Sequence, residues 1–168
     1  MKRDFEVIEA SQDLVNSLVP FANDCYSEGI TMYKRALDNP QQYLQSLIER
    51  SRATEQELLN GLLPSTTYYY LHNHEILGAI RLRRGTNFNV ENVIGHIGYE
   101  TSSLARNKGV ASSLLMWVKQ NALKESIIIT CAEVNVPSQR VIEKCGGEYI
   151  GMYDDNDHGK IMRFKMVP

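Results

Sequence analysis

The sequence predicts a mixed α/β fold with a mostly antiparallel sheet, and three observations support that prediction. Two stretches, 65–85 and 148–167, each hold two β-rich runs around a short polar turn, which is typical of antiparallel hairpins. One strand–helix–strand unit, from Ile94 to Cys131, is long enough to join two parallel strands by a crossover. The predicted order β, α, α, β, β, β, α, β, α, β, β indicates one layered domain over residues 1–168.

The N-terminal half contains one predicted strand, two helices and a hairpin. "FEVIEA" is the first strand, and Ser11 is the predicted N-cap of a helix that runs toward Gly29 and is bent or broken at Pro20. "PQQYLQSLIERS" begins at Pro40 and places its apolar residues on one helical face. "STTYYYLHN" and "EILGAIRLRRG" form the hairpin, with its turn at Asn73.

The C-terminal half alternates strands and helices. "NVIGHIGYETS" is predicted to be a strand, and glycines such as its Gly95 and Gly98 often mark a bulge or a close backbone approach. A helix follows Gly109, and "SIIITC" is the next, buried strand. "PSQRVIEKCGG" begins a helix at Pro137 and ends it at Gly146. Two strands around the turn "DNDHG" complete the sheet.

Composition and charge exclude several classes of function. The formal net charge of -2 lacks the basic excess of a typical nucleic-acid-binding protein. The three cysteines, Cys25, Cys131 and Cys145, form neither a C-x-x-C pair nor a disulfide framework, which favours a reducing compartment. The sequence contains no apolar leader and no apolar run of about 18 residues. We therefore expect a cytoplasmic protein that binds neither nucleic acid nor membrane and needs no metal.

The segment "ARNKGVASSLL", residues 105–115, places Arg106, Lys108 and Gly109 directly before a helix. The first N–H groups of a helix have no intrahelical partner, and the helix dipole adds positive potential there. A strand, a loop with glycine and then a helix therefore suits a phosphate group held by main-chain donors. The common nucleotide motifs G-x-x-x-x-G-K-[ST] and G-x-G-x-x-G are absent, and a plain helix start with a solvated basic edge is an equal alternative.

Two motifs together resemble the GNAT N-acetyltransferase superfamily, whose members use acetyl-CoA. The family's phosphate loop, [QR]-x-x-G-x-[GA], stands here as "RNKGVA", residues 106–111. Its later segment, N-x-x-[AS]-x-x-[LV]-Y-x-K-x-G-F, is matched at Asn135, Ser138, Val141, Lys144 and Gly146. The resemblance covers residues 94–147. It implies a mixed, mostly antiparallel central sheet with helices on both faces and a splayed parallel strand pair at the cofactor site.

The resemblance also implies an activity and a cofactor site. The loop amides would hold the pyrophosphate of CoA, and the strand before the loop would pair with its pantetheine arm as an added strand does. An acetyl group would pass directly from acetyl-CoA to a small-molecule or peptide amine, without a metal, in a protein that can form a homodimer. The implied cofactor-binding residues are Tyr99, Glu100, Thr101, Arg106, Asn107, Lys108, Gly109, Val110, Ala111, Ser112, Asn135 and Ser138.

The sequence departs from the family at the positions that would move protons. Ile142 stands where many members carry the tyrosine that protonates the leaving thiolate, so the usual acid is absent. His96 lies near the place of the family's glutamate base and is the candidate base here, with a hydrogen-bonded structural histidine as an equal alternative. By strand alternation, the side chain of Glu100 is expected to face solvent.

Two other functions compete with a small-molecule acetyltransferase. A non-catalytic acyl-CoA-binding or sensing module fits the intact phosphate loop, and the replacement of the tyrosine by Ile142 favours it slightly. An acetyltransferase that modifies proteins fits the same motifs, and the near-neutral charge does not separate it from the first prediction.

Overall fold

One seven-stranded sheet, with strand order β1-β2-β3-β4-β5-β7-β6, organises the protein. The computed structural model describes residues 4–168, and the first three residues lie outside that range. The neighbouring strands are antiparallel except for the parallel pair β4–β5, which confirms the predicted sheet. The strands are β1 (Glu6–Glu9), β2 (Ser65–His72), β3 (Glu75–Arg83), β4 (Ile97–Thr101), β5 (Ile127–Ala132), β6 (Glu148–Asp155) and β7 (Gly159–Met166).

Helices cover both faces of the sheet, as predicted, and each face has its own hydrophobic core. The helices are α1 (Val15–Ser27), α2 (Lys34–Asp38), α3 (Pro40–Arg52), α4 (Val110–Asn121) and α5 (Val136–Lys144). The first three pack against one face, with Leu18, Leu44 and Tyr69 in their core. The last two pack against the other face, with Leu114, Ile129 and Ile142 in theirs. In the described part of the chain, no helix is long and apolar enough to cross a membrane.

Helix α1 is continuous through Pro20, so the predicted break there is wrong. Proline cannot donate the intrahelical hydrogen bond, but Leu18, Phe21 and Cys25 bury this helix in the core and hold it in place. Ser11 stands at the N-cap of a 3-10 turn that precedes α1, and its side chain makes no capping hydrogen bond there. The short helix α2 was not predicted.

The segment before β4 is not a strand, which shortens the predicted "NVIGHIGYETS" strand to Ile97–Thr101. Val90–Ile94 forms one turn of π-helix, and the Asn87 side chain accepts a hydrogen bond from the N–H of Val90. Gly95 ends this turn with a positive φ of 69°, a backbone conformation that glycine adopts without strain. The turn packs against β5 through the Thr130 hydroxyl, which donates to the carbonyl of Val93.

Candidate active site

A groove exists between β4 and β5 because the two strands separate after one residue pair. Within residues 4–168, Ile97 and Ile129 are the only register partners that join these strands. Strand β4 stays paired with β3 as far as Thr101, so its other edge borders the gap. The groove has a volume of about 950 Å³, and residues from both sequence motifs line it. The splayed parallel pair that the resemblance implied is therefore present.

His96 holds the closed end of the groove. Its main-chain N–H donates to the carbonyl of Ile128 at 2.7 Å, and its Nδ1 accepts the N–H of Ile128 at 3.0 Å. Nδ1 also lies 3.3 Å from the carbonyl oxygen of Ile128, so the main chain of β5 engages this nitrogen. Nδ1 is therefore not available to an amine, and His96 is not among the residues that line the groove. The geometry favours the structural alternative for His96 over the role of base.

The loop before α4 presents an uncapped helix start to the groove. Asn107 and Gly109 have positive φ values of 61° and 80°, which turn the chain sharply into the helix. No side chain caps this helix start, and the first intrahelical bond runs from the N–H of Ser113 to the carbonyl of Gly109 at 2.9 Å. The preceding amides, of residues 110–112, therefore have no partner in the helix and suit an anion.

Two acidic residues of the α1 region hold this loop. Asp24 accepts hydrogen bonds from the N–H of Ser103 at 2.7 Å and from its hydroxyl at 2.5 Å. Burial acts to raise the pKa of Asp24, but these hydrogen bonds outweigh it and bring the pKa below its ordinary value. Arg106, predicted as a charge at the rim, forms an ion pair with Glu28 at 2.8 Å. The loop is thus fixed to α1 before any ligand binds.

Tyr99 on β4 and Ser138 on α5 contact each other at the groove. The Tyr99 hydroxyl oxygen lies 2.7 Å from Oγ of Ser138. Burial raises the pKa of Tyr99 to about 12 although the hydrogen bond to Ser138 lowers it, so the phenol is protonated at neutral pH. Asn135 caps α5, because its Oδ1 accepts the N–H of Ser138 at 3.2 Å.

The side chain of Glu100 is buried, so the expectation that it faces solvent is wrong. Its carboxylate accepts hydrogen bonds from both terminal nitrogens of Arg81, at 2.8 and 2.5 Å, and from the hydroxyl of Tyr33. Alternation along β4 directs this side chain to the face covered by α1–α3, opposite to Tyr99. Only the main chain of Glu100 is therefore left to contact a cofactor on the Tyr99 side.

Ile142 belongs to the hydrophobic core. It is fully buried, so the position of the family's tyrosine offers no proton donor here. A Cβ atom on Gly147 would lie 2.4 Å from Cγ2 of Ile142, which explains why glycine stands where the family has an aromatic residue. Within residues 4–168, no group of three His, Cys, Asp or Glu side chains is arranged to hold a metal.

The structure brings the predicted cofactor-binding residues to one groove, with one exception. Residues 99–101, 106, 107 and 109–112 line it, as do Asn135 and Ser138. Lys108 instead lines a second cavity of about 860 Å³, between α1, the β2–β3 turn and the loop. The sequence did not predict that Arg81, Tyr33 and Asp24 would contact residues of the site, because each is distant in sequence from the residue that it contacts.

The chain belongs to the GNAT acetyltransferase family, because the family model described as "Acetyltransferase (GNAT) family" matches residues 31–147. No curated protein sequence matches the chain significantly.

Solved structures of low sequence identity share the fold over nearly the whole chain. RimL, a ribosomal-protein alpha-N-acetyltransferase in complex with coenzyme A, has 13% identity and a TM-score of 0.69, with 97% of this chain and 93% of that chain covered. A ribosomal-protein-alanine acetyltransferase from Vibrio fischeri has 15% identity and a TM-score of 0.69, covering 99% and 94%. The microcin C7 self-immunity acetyltransferase MccE, in complex with acetyl-CoA and AMP, has 11% identity and a TM-score of 0.70, covering 98% and 92%.

Proposed function

We propose that the protein transfers an acetyl group from acetyl-CoA to a primary amine. The observation that supports this most is the uncapped start of α4, which opens into the gap between β4 and β5. Family membership supports the reaction class, and the similar RimL and MccE structures contain CoA and acetyl-CoA. We include a cytoplasmic location in the proposal, supported by three buried free thiols.

The residues of the groove fit the parts of acetyl-CoA. The amides of residues 110–112 would bind the pyrophosphate, as helix N-termini bind phosphate groups elsewhere. The edge of β4 that β5 leaves unpaired would bind the amide groups of the pantetheine arm, in the manner of an added strand. Tyr99 and Ser138 would lie beside that arm, because both line the groove.

Direct transfer requires positioning more than it requires a strong base. The amine nitrogen attacks the thioester carbon, the C–N bond forms, the C–S bond breaks, and the proton that the amine gives up replaces the one that the thiolate receives. Most of the rate enhancement comes from holding both reactants in one groove. A thiol has a pKa of about 8.5, so the departing thiolate takes up a proton near neutral pH. We propose that the Tyr99 hydroxyl, protonated and bonded to Ser138, donates the proton to this thiolate in place of the tyrosine missing at Ile142.

Thiol release from acetyl-CoA in the presence of an amine panel tests the proposed function. The panel contains polyamines, amino acids, aminoglycosides and peptides with free N-termini, the last because two of the similar structures are ribosomal-protein acetyltransferases. We expect release that depends on at least one amine. We also expect Tyr99→Phe to lower kcat by about 10²-fold, the lower range for loss of a general acid, with acetyl-CoA affinity retained.

The alternative is a non-catalytic acyl-CoA-binding or sensing module, and the burial of Ile142 in the core is the observation that favours it. The same experiment separates the two functions. Tight CoA binding without release for any amine would support the sensor. Absence of CoA binding would contradict both functions.

A further inference from the structure

Three arginines gather beside the groove, on the face of the sheet that α1–α3 cover. Arg81 and Arg83 alternate along β3 and point to this face. Nη2 of Arg81 and Nη1 of Arg83 lie 3.6 and 3.7 Å from the position that a Cβ on Gly98 would have. Arg50, near the end of α3, repels both other arginines electrostatically. We call Arg50, Arg81 and Arg83 the arginine cluster.

The arginine cluster carries more positive charge than its surroundings neutralise. Among the described residues, Glu100 is the carboxylate that acts on it, and both terminal nitrogens of Arg81 already engage Glu100. Burial, together with repulsion from Arg81 and Arg50, lowers the pKa of Arg83 to about 10. Burial also lowers the pKa of Arg50, and electrostatic repulsion from Arg81 and Arg35 lowers it further. Positive charge is thus concentrated here in a chain with a formal net charge of -2.

The fold itself does not require the charges of Arg50 and Arg83. Arg50 Nε donates to the carbonyl of Leu63 at 3.2 Å, and Arg83 Nη1 donates to the carbonyl of Gly95 at 3.1 Å. A neutral glutamine could donate to such a carbonyl without the cost of burying a like charge beside Arg81. Burying like charges side by side is locally unfavourable, and such unfavourable arrangements are expected at functional sites.

The arginine cluster lies directly behind the groove: none of its three arginines lines the groove, but Arg81 and Arg83 adjoin Gly98, which does. Because β4 and β5 separate, the gap between them opens toward both faces of the sheet. Tyr99 and Cys131 line it on the side of α4 and α5, whereas Gly98 and Glu100 line it on the side of the arginine cluster. The missing side chain at Gly98 leaves room where the guanidinium groups of Arg81 and Arg83 meet the strand.

We propose that the arginine cluster binds a carboxylate or phosphate group of the acceptor, so that the preferred substrate is a primary amine that also carries an anionic group. Guanidinium groups bind both kinds of oxyanion through paired hydrogen bonds. The acceptor would enter from the face of the arginine cluster, opposite to the loop that holds the donor. This inference rests on the proposed function, in which acetyl-CoA occupies the groove.

Calorimetric titration with two matched pairs of amines tests the inference without requiring turnover. The pairs are β-alanine with β-alaninamide, and O-phosphoethanolamine with ethanolamine, each added to the CoA-loaded protein and to the free protein. We expect the anionic member of at least one pair to bind about tenfold more tightly than its neutral partner, the size of one net charge-assisted hydrogen bond. The pair that shows the preference identifies carboxylate or phosphate as the anion.

Two arginine variants provide the decisive comparison. In Arg83→Gln, the anionic and neutral amines of a pair should bind with about equal affinity, and the affinity for CoA should be unchanged. Arg84→Gln removes the same charge from an exposed arginine outside the cluster, which binds Thr66 and Ser51, and should keep the preference. Equal binding within both pairs, no binding of any probe at millimolar concentration, or a preference that survives Arg83→Gln would overturn the inference. A preserved preference in a protein that transfers no acetyl group would contradict the proposed function alone.

Discussion

His96 and Ile128 make two hydrogen bonds, one through the main chain of His96 and one through its ring, and these bonds set the point where β4 and β5 part. The residue is largely buried and does not line the groove. A histidine that satisfies a buried main-chain N–H has a structural reason to be there, because an unsatisfied N–H costs about 1–3 kcal/mol.

Replacing His96 by glutamine separates the structural role from the role of base. The amide oxygen of glutamine can accept the N–H of Ile128 but does not titrate, so His96→Gln should keep kcat within about threefold and keep the same pH profile. His96→Ala should lower the thermal midpoint, because it leaves the Ile128 N–H unsatisfied. Two acceptors of different amine pKa are compared, so that ionisation of the acceptor is not mistaken for that of the enzyme. A fall of about 10²–10⁴-fold in the glutamine variant, with loss of a pH limb, would assign the base to His96.

Asp24 gives the loop before α4 a stability that depends on pH. The pKa of Asp24 is lower in the folded protein than its ordinary value of 3.8, so its carboxylate stabilises the fold above that value. This contribution is lost as the pH falls through the folded pKa. Asp24→Asn should therefore lower the urea midpoint at pH 6, and the difference from wild type should shrink toward pH 3. A difference that stays constant over this range would show that the charge of Asp24 does not stabilise the loop.

At the scale of elements, the start of α4 carries the proposed donor site, and the sequence predicted the position of this helix start well. Its signals are local: Gly109 adopts the positive φ, and the same helix begins one residue later. Pro137 likewise marked the start of α5 within a few residues. The contact of Glu100 with Arg81 and Tyr33 could not be predicted, because it joins two strands and a helix-connecting turn that are far apart in the chain.

A side chain at Gly109 should interfere with phosphate binding at the start of α4. Asparagine tolerates positive φ better than most residues, so Gly109→Asn should fold and weaken acetyl-CoA affinity by at least about tenfold, or ~1.4 kcal/mol. Gly61→Asn is the matched control, because Gly61 has a φ of 69° with open space around it and lies away from the groove. Calorimetry gives the affinities, and a thermal melt checks the fold. Equal acetyl-CoA affinities in the two variants would show that this loop does not bind the phosphate.

At the scale of the whole molecule, the proposed reaction uses both faces of the sheet. The face of α4 and α5 holds the donor motifs, and the face of α1–α3 holds the buried Glu100–Arg81 pair and the arginine cluster. The splay of β4 from β5 is the opening that joins the faces. Donor and acceptor can therefore meet at the sheet without sharing a binding surface.

Hydrogen exchange measured with and without saturating acetyl-CoA tests the location of the donor site directly. Amides that bind a ligand exchange more slowly, and the second cavity provides an internal comparison. The account predicts protection of residues 98–101 and 109–113, with no change over α1 or the β2–β3 turn. Protection of α1 and that turn, with residues 98–101 and 109–113 unchanged, would contradict it.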